Sequence, residues 1–308
     1  MKIYIQRFLI TMTMLLLPTI LVACDICGCG AGTSYLGMMP EYNNNIVGVR
    51  YRYSAMRTHL GPQQSTTYLT TDEQFQVMEA WAALKIKKNW RIMAQVPYSF
   101  ISKTNLAESE TESTSGISDV QVLAQYHIWN KKHNLGYQLL IFDAWLGGGF
   151  KLPTGKYKSY NTNNSLNLFQ LGSGSWDAVL QGALDIRLQD VGFNMNALYK
   201  INSANSSAYY YGNKLALNGQ FYYKFSLGKD INLVPNLGIK YEKNRRDQQR
   251  NVVLDATGGN ITKLSFGLEL KLVQFFFGMQ YQKVLQQKVG LGLLQIKDNY
   301  TVHLGVNL

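Results

Sequence analysis

The feature that most constrains this chain is a period of two. In residues 46–53, IVGVRYRY, Val47, Val49, Tyr51 and Tyr53 fall on one face and Gly48, Arg50 and Arg52 on the other. Successive side chains point to opposite sides only in an extended strand. In residues 119–128, Val120, Val122, Ala124, Tyr126 and Ile128 oppose Asp119, Gln121, Gln125 and His127. Residues 191–201, 214–225 and 300–308 alternate in the same way. Apolar residues make up 46% of the chain and charged residues only 16%, yet mean hydropathy is −0.14. The apolar residues are therefore interleaved with polar ones, as a sheet with one apolar and one polar face requires.

Twelve such segments are expected, at 45–55, 74–87, 89–101, 118–129, 135–150, 174–188, 191–202, 213–227, 230–242, 260–272, 273–284 and 297–308. The connections alternate in length. Turns are short at Lys88, residues 130–134, Gln189-Asp190, Gly228-Lys229 and Leu272-Val273. Loops are long at 56–73, 102–117, 151–173, 203–212, 243–259 and 285–296. Long loops at one end and short turns at the other are the pattern of an outer-membrane β-barrel. The predicted fold is all-β, a transmembrane up-and-down antiparallel barrel of about 12 strands. A soluble β-sandwich alternates too, with its apolar face inward. The loop asymmetry, a final strand that runs to Leu308 and aromatics near strand ends favour the membrane. Those aromatics are Trp90, Tyr98, Trp129, Trp176, Tyr199, Tyr222, Tyr223, Tyr241, Tyr281 and Tyr300.

Residues 1–23 read as a secretory signal peptide, with Lys2 and Arg7 ahead of an apolar run. That run is short for a transmembrane helix. Leu21-Val22-Ala23-Cys24 resembles a bacterial lipobox, which makes Cys24 the expected lipidation site; ordinary signal-peptidase cleavage near Ala23 is the alternative. Residues 24–44 form a cysteine-containing leader and 45–308 the barrel, expected in the outer membrane of a Gram-negative cell with both termini periplasmic. All three cysteines, Cys24, Cys27 and Cys29, lie in the leader. Thiolates suit copper(I) or zinc, so Cys27 and Cys29 are candidate metal ligands, with Asp25 the one nearby oxygen donor. A strained Cys27–Cys29 disulfide is the other option. Gly28 follows Cys27, which excludes a C-x-x-C-H haem attachment. No other cofactor is expected.

If the apolar face meets lipid, the opposite face lines the lumen. It would carry Arg50, Arg52, Glu79, Lys85, Arg91, Gln95, Asp119, Gln125 and His127 from the first four segments. Asp143, Asp177, Asp185, Arg187, Lys200, Lys214 and Lys224 follow, then Lys240, Glu242, Lys263, Glu269, Lys271 and His303. Side chains fill a barrel of about eight strands, and about 16 leave an aqueous channel. Twelve predicts a restricted channel for small solutes or a lumen knitted shut by mixed charge. Cations exceed acids on this face, which favours anions by sign. The formal charge is +11, but Lys and Arg are spread along the chain, so nucleic acid is not an expected partner. The expected partners are outer-membrane lipid and a small solute. Nucleophilic catalysis needs a His and a Ser held together. None of His59, His127, His133 and His303 has a Ser two positions on, so no enzyme activity is expected.

Residues 147–157, GGGFKLPTGKY, and 171–177, LGSGSWD, carry a family resemblance. They resemble the G-x-K-x-P-T-G and G-[TS]-G-S-x-D blocks of outer-membrane porins grouped as the MetA-pathway of phenol degradation proteins. Lys151, Pro153, Thr154, Gly155, Gly172, Ser173, Gly174, Ser175 and Asp177 match. The resemblance implies an outer-membrane barrel that transports small, often hydrophobic compounds. The CDICGCG leader departs from the usual pattern and looks like a feature of Bacteroidetes versions. Read from the residues alone, the two blocks are structural punctuation, and Lys151 is expected to pair with Asp177 or Asp143.

Overall fold

The computed structural model describes residues 45–157 and 170–308. The signal peptide, the leader, Cys24, Cys27 and Cys29 lie outside the described residues. Twelve strands form one antiparallel barrel. They are β1 (Ile46–Thr58), β2 (Thr71–Lys87), β3 (Trp90–Asn105) and β4, which runs in two pieces, Thr111–Ile117 and Gln121–Leu135. Next come β5 (Gln138–Lys151), β6 (Asp177–Leu188), β7 (Val191–Ile201) and β8 (Lys214–Tyr223). The last four are β9 (Ile231–Asn244), β10 (Gly259–Leu272), β11 (Phe275–Val289) and β12 (Asn299–Asn307). Each strand pairs with the next, and β12 pairs back onto β1 with Val49 opposite Leu304, which closes the barrel.

Burial separates a membrane barrel from a soluble sandwich. Val49, Met78, Leu146, Phe221, Ile239 and Met279 are exposed on the outside, while Arg50, Glu79, Asp185, Lys240, Lys263 and Glu269 are buried within. A continuous apolar exterior of this size is far beyond what a soluble monomer tolerates and fits only lipid. Exposed Trp90, Trp129 and Tyr223 lie toward the turn end, and Tyr98, Trp176 and Tyr300 toward the loop end.

The structure corrects several boundaries. Residues 130–134 are strand, not turn; the reversal falls at residues 136–137, where Gly136 takes φ +63°. A β-bulge between His127 and Trp129 shifts the register, and the strand beyond it is exposed on both faces. A hairpin that projects past the bilayer needs no alternation, so the periodicity stops before the strand does. At the loop end, Thr111–Ile117 pairs with β3 inside the stretch expected as loop 102–117. It is polar on both faces and shows no apolar period. Tyr222 is not an interfacial aromatic. Phe221 and Tyr223 point outward, so Tyr222 points inward and is 4% exposed.

Tyr222 finds room because β7 carries Gly192 directly opposite it; a Cβ on Gly192 would lie 2.4 Å from the Tyr222 hydroxyl. The phenol crosses β7 and donates to Asp185 on β6, 3.0 Å to Oδ2. Gly278 gives β11 a second such gap, over which His303 and Glu269 meet. Gln125 likewise reaches Gln181 at 3.0 Å above Gly147. Small residues facing the lumen thus let side chains two strands apart bond to one another.

Candidate functional site: the lumen and its loop-end plug

The lumen is packed. At the turn end His127 Nε2 lies 2.5 Å from Asp143 Oδ1, and its ring stacks on Trp145 with centroids 4.0 Å apart. Arg91 sits over the same indole at 4.4 Å and donates to Gln125. Asp143 stands directly opposite Asp185 on β6, which accepts from Tyr222 and Asn194. Arg187 and Lys224 are half-buried near this end, and Lys271 is half-buried as well. Lys85 is exposed, which corrects its placement on the lumen list: it lies at the end of β2, past the last buried residue, Ala83.

Midway up, Arg50 on β1 pairs with Glu79 on β2, and Arg52 reaches the same carboxylate at 3.2 Å. His303 Nε2 lies 2.9 Å from Glu269 Oε2. Gln95 is buried on β3, its amide 4.0 Å from the Met93 sulfur. Lys240 Nζ lies 2.7 Å from Glu242 Oε1, and Lys214 approaches Oε2 at 3.7 Å.

A belt of apolar side chains runs among these polar groups. Ala83, Met93, Leu123, Val179, Leu198 and Ala216 form one buried cluster, with Met93 and Leu123 0% exposed. The two-face reading missed this belt. Leu123 and Leu198 sit on strands whose outward neighbours are also apolar, so alternation gives no contrast there. Trp145 and Gln181, also buried inside, were missed as well.

At the loop end the two family blocks fold together. Lys151 closes β5, donates to Asp119 Oδ2 at 2.6 Å and makes an ion pair with Asp177 Oδ2 at 2.9 Å; Asp143 is far along the same strand and is held by His127. Asp119 also accepts from Gly155 N at 3.1 Å, Ser173 N at 2.9 Å and Ser173 Oγ at 2.9 Å. Ser173 bonds Lys151 and Ser175, and Ser175 Oγ donates to Asp177 at 2.9 Å. Thr154 Oγ1 donates to Ser118 O and accepts from Val120 N, both at 2.9 Å. Pro153 forms the exit from β5. Gly155 and Gly172 are packed backbone to backbone, since a Cβ on Gly172 would lie 2.5 Å from Gly155 O. Gly174 takes φ +67°, which an L side chain resists. The blocks therefore hold residues 152–157 and 170–175 together at the rim, with Leu171 packed inward against Met56, Phe75 and Ile101. Beside them is a cavity of about 200 Å³, lined by apolar Phe75, Val77, Pro97, Ile101 and Leu171 and by charges of both signs, Lys151, Lys200 and Lys214 with Asp119, Asp177 and Asp247. Among the described residues no group of three or more His, Cys, Asp or Glu could hold a metal.

An apolar outer wall, a charged and packed interior and twelve strands closed on themselves define a β-barrel of the outer-membrane type. The chain belongs to the family described as "Putative MetA-pathway of phenol degradation", whose pattern matches residues 49–291. Among solved structures it is similar to an outer membrane channel from Pseudomonas putida F1, at 13% identity and a TM-score of 0.62. That likeness covers 90% of this chain and all of the other. It is also similar to the beta domain of the Bordetella autotransporter BrkA, at 11% identity and a TM-score of 0.48, over 85% of this chain and 99% of that one. No curated protein matches it in sequence.

Proposed function

We propose that this barrel is a gated channel for facilitated diffusion of small solutes across the outer membrane. One observation carries the reading. Residues 152–157 after β5 and 170–175 before β6 are held at the rim by Asp119, Lys151 and Ser173, above a lumen largely packed with side chains. A purely structural barrel has no need of residues 152–157 and 170–175 fastened at its mouth beside a cavity. Passage would require the pinned segment to shift, which makes the Asp119 cluster the latch. The solved channel of similar fold supports the reading as an analogy of architecture. We assign the barrel no catalysis. The leader would be exported with the chain, Cys24 would carry the acyl group, and both termini would face the periplasm.

Planar-bilayer recording of the refolded chain tests the proposal. Small discrete conductance steps are expected, with long closed intervals. A chain that folds and inserts yet shows neither conductance nor solute flux into proteoliposomes would refute it.

A further inference from the structure

We infer that the loop end of the outer wall, over β11, β12 and β1, is a docking surface for a phosphorylated lipid, its phosphate held by lysines and the start of an acyl chain seated in a notch of the wall. The inference rests on the membrane barrel and not on the channel reading. Outward residues run in one order toward the loops. On β9 they are Leu237, Ile239, Tyr241 and Lys243, and on β11 Phe277, Met279, Tyr281 and Lys283. Tyr281, Tyr300 and Tyr53 are cross-strand partners on β11, β12 and β1, with ring centroids 5.1 and 6.3 Å apart. Such a row marks the level of the lipid headgroups. Lys283 lies two residues beyond it, about 7 Å further along the strand.

The notch exists because β12 is short. β11 continues to Val289 and β1 to Thr58, but β12 begins at Asn299, opposite Gln282. Residues 295–298 cross the remaining gap. Gln295 and Ile296 pair with β1. Toward β11 the Gln287 side chain replaces a backbone ladder, accepting from Ile296 N at 2.7 Å and donating to Ile296 O at 3.3 Å. The step leaves a hollow of about 590 Å³, with residues 284–287 on one side and Tyr53, Ala55 and Tyr300 on the other. Its apolar lining includes Leu285, which is 54% exposed. This surface stands beyond the tyrosine row, where a bulk bilayer offers headgroups and water. A lipid drawn up against the wall covers it.

Charge selects the headgroup. Lys283 and Lys288 bracket the stretch that lines the notch, and Lys297 borders it across the gap. Both Lys283 and Lys288 are exposed, and among the described residues no carboxylate pairs with either. Lys297 reaches Asp72 at 3.4 Å, on an oxygen that Arg57 already holds at 2.7 Å. The carboxylate within the notch, Asp298, accepts from the Tyr281 hydroxyl and from Val284 N at 2.9 Å, so each of its oxygens is engaged. A phosphate among the three lysines gains charge-assisted bonds, and lysines at a membrane surface attract anionic lipid. A zwitterionic headgroup would bring its own cation to the same lysines.

Native mass spectrometry of the refolded full chain in detergent tests this, with dioleoyl phosphatidate, dioleoylglycerol and glycerophosphate as probes. The second lacks the phosphate and the third lacks the chains. Phosphatidate is expected to be retained, and each of the others at least about tenfold less. Lys283→Gln combined with Lys288→Gln should lower phosphatidate retention about tenfold. Lys131→Gln combined with Lys132→Gln, exposed on the turn-end hairpin, removes the same charge and should leave retention unchanged. The inference is overturned if either partial probe is retained as well as phosphatidate, or if phosphatidate is not retained. It is equally overturned if the loop-end variant retains phosphatidate like the parent, or if the turn-end variant loses as much. Should the loop-end variant fail to fold, amine acetylation of the unaltered barrel decides. Phosphatidate must then shield Lys283 and Lys288 and leave Lys131 open, and equal labelling with and without the lipid refutes the surface. Planar-bilayer conductance reads the channel proposal separately, so either can fail alone.

Discussion

His303 on β12 and Glu269 on β10 bond at 2.9 Å although a whole strand, β11, runs between them. Gly278 is opposite both, and a Cβ there would lie 2.2 Å from His303 Cε1 and 2.6 Å from Glu269 Oε2. The bond exists because β11 has no side chain at that one position.

Gly278→Ala should therefore break the pair and cost buried His303 its carboxylate partner, about 2 kcal/mol. A lower urea midpoint for the folded barrel would register it. His303→Ala should also destabilise. The double variant should lose less than the sum, because a shortened residue 303 leaves space for the new methyl. Strict additivity would contradict the account.

Tyr222→Phe removes the hydroxyl that donates to Asp185 at 3.0 and 3.1 Å. Asp185 keeps Asn194 at 3.3 Å and stands opposite Asp143. The expected loss is about 1–3 kcal/mol, again read from the urea midpoint, with the lipid-facing face untouched. Tyr223→Phe, one residue on and exposed, should change little.

Asp119→Ala deletes the acceptor shared by Lys151, Gly155 and Ser173. The pinned segment should loosen, and bilayer recordings should show larger or more frequent openings. Gly172→Ala should act in the same direction, since its Cβ would lie 2.6 Å from Asp119 Oδ1. Unchanged conductance in a folded Asp119→Ala protein would remove this cluster from the role of latch.

Leu123→Ala thins the apolar belt at a residue that is 0% exposed. Truncating a fully buried leucine costs about 2–5 kcal/mol. If the belt also blocks the path, conductance should rise as stability falls. Leu146→Ala, on the outer face of β5, should leave conductance as it was.

Much of this was legible in the sequence because a hairpin barrel repeats one local rule. Alternation marked the strands, and the contrast between Lys88 or Gln189-Asp190 and the stretch after Lys151 marked the two ends. The rest depends on relations that a local rule does not contain. Leu123 and Leu198 face inward on strands that are apolar outside as well, so period two is silent about them. Ile128 sits in a bulge, which turns a regular alternation into a shifted one. Thr111–Ile117 is strand by pairing with β3 and not by pattern. Asp119 and Ser173 are 54 positions apart and meet through strand register. The pairing of Asp185 with Tyr222 was hidden for the same reason, with Gly192 its one faint signal.

The contacts that pass over Gly147, Gly192 and Gly278 also bear on how such a wall can move. Each ties a strand to its second neighbour, so parting two adjacent strands would have to tear a side-chain bond as well as the backbone ladder. They act as stitches across six of the twelve seams and stiffen the cylinder there. Widening of the wall is then the costly motion, and any opening is thrown onto the rim, where the fastening is a few side chains around Asp119.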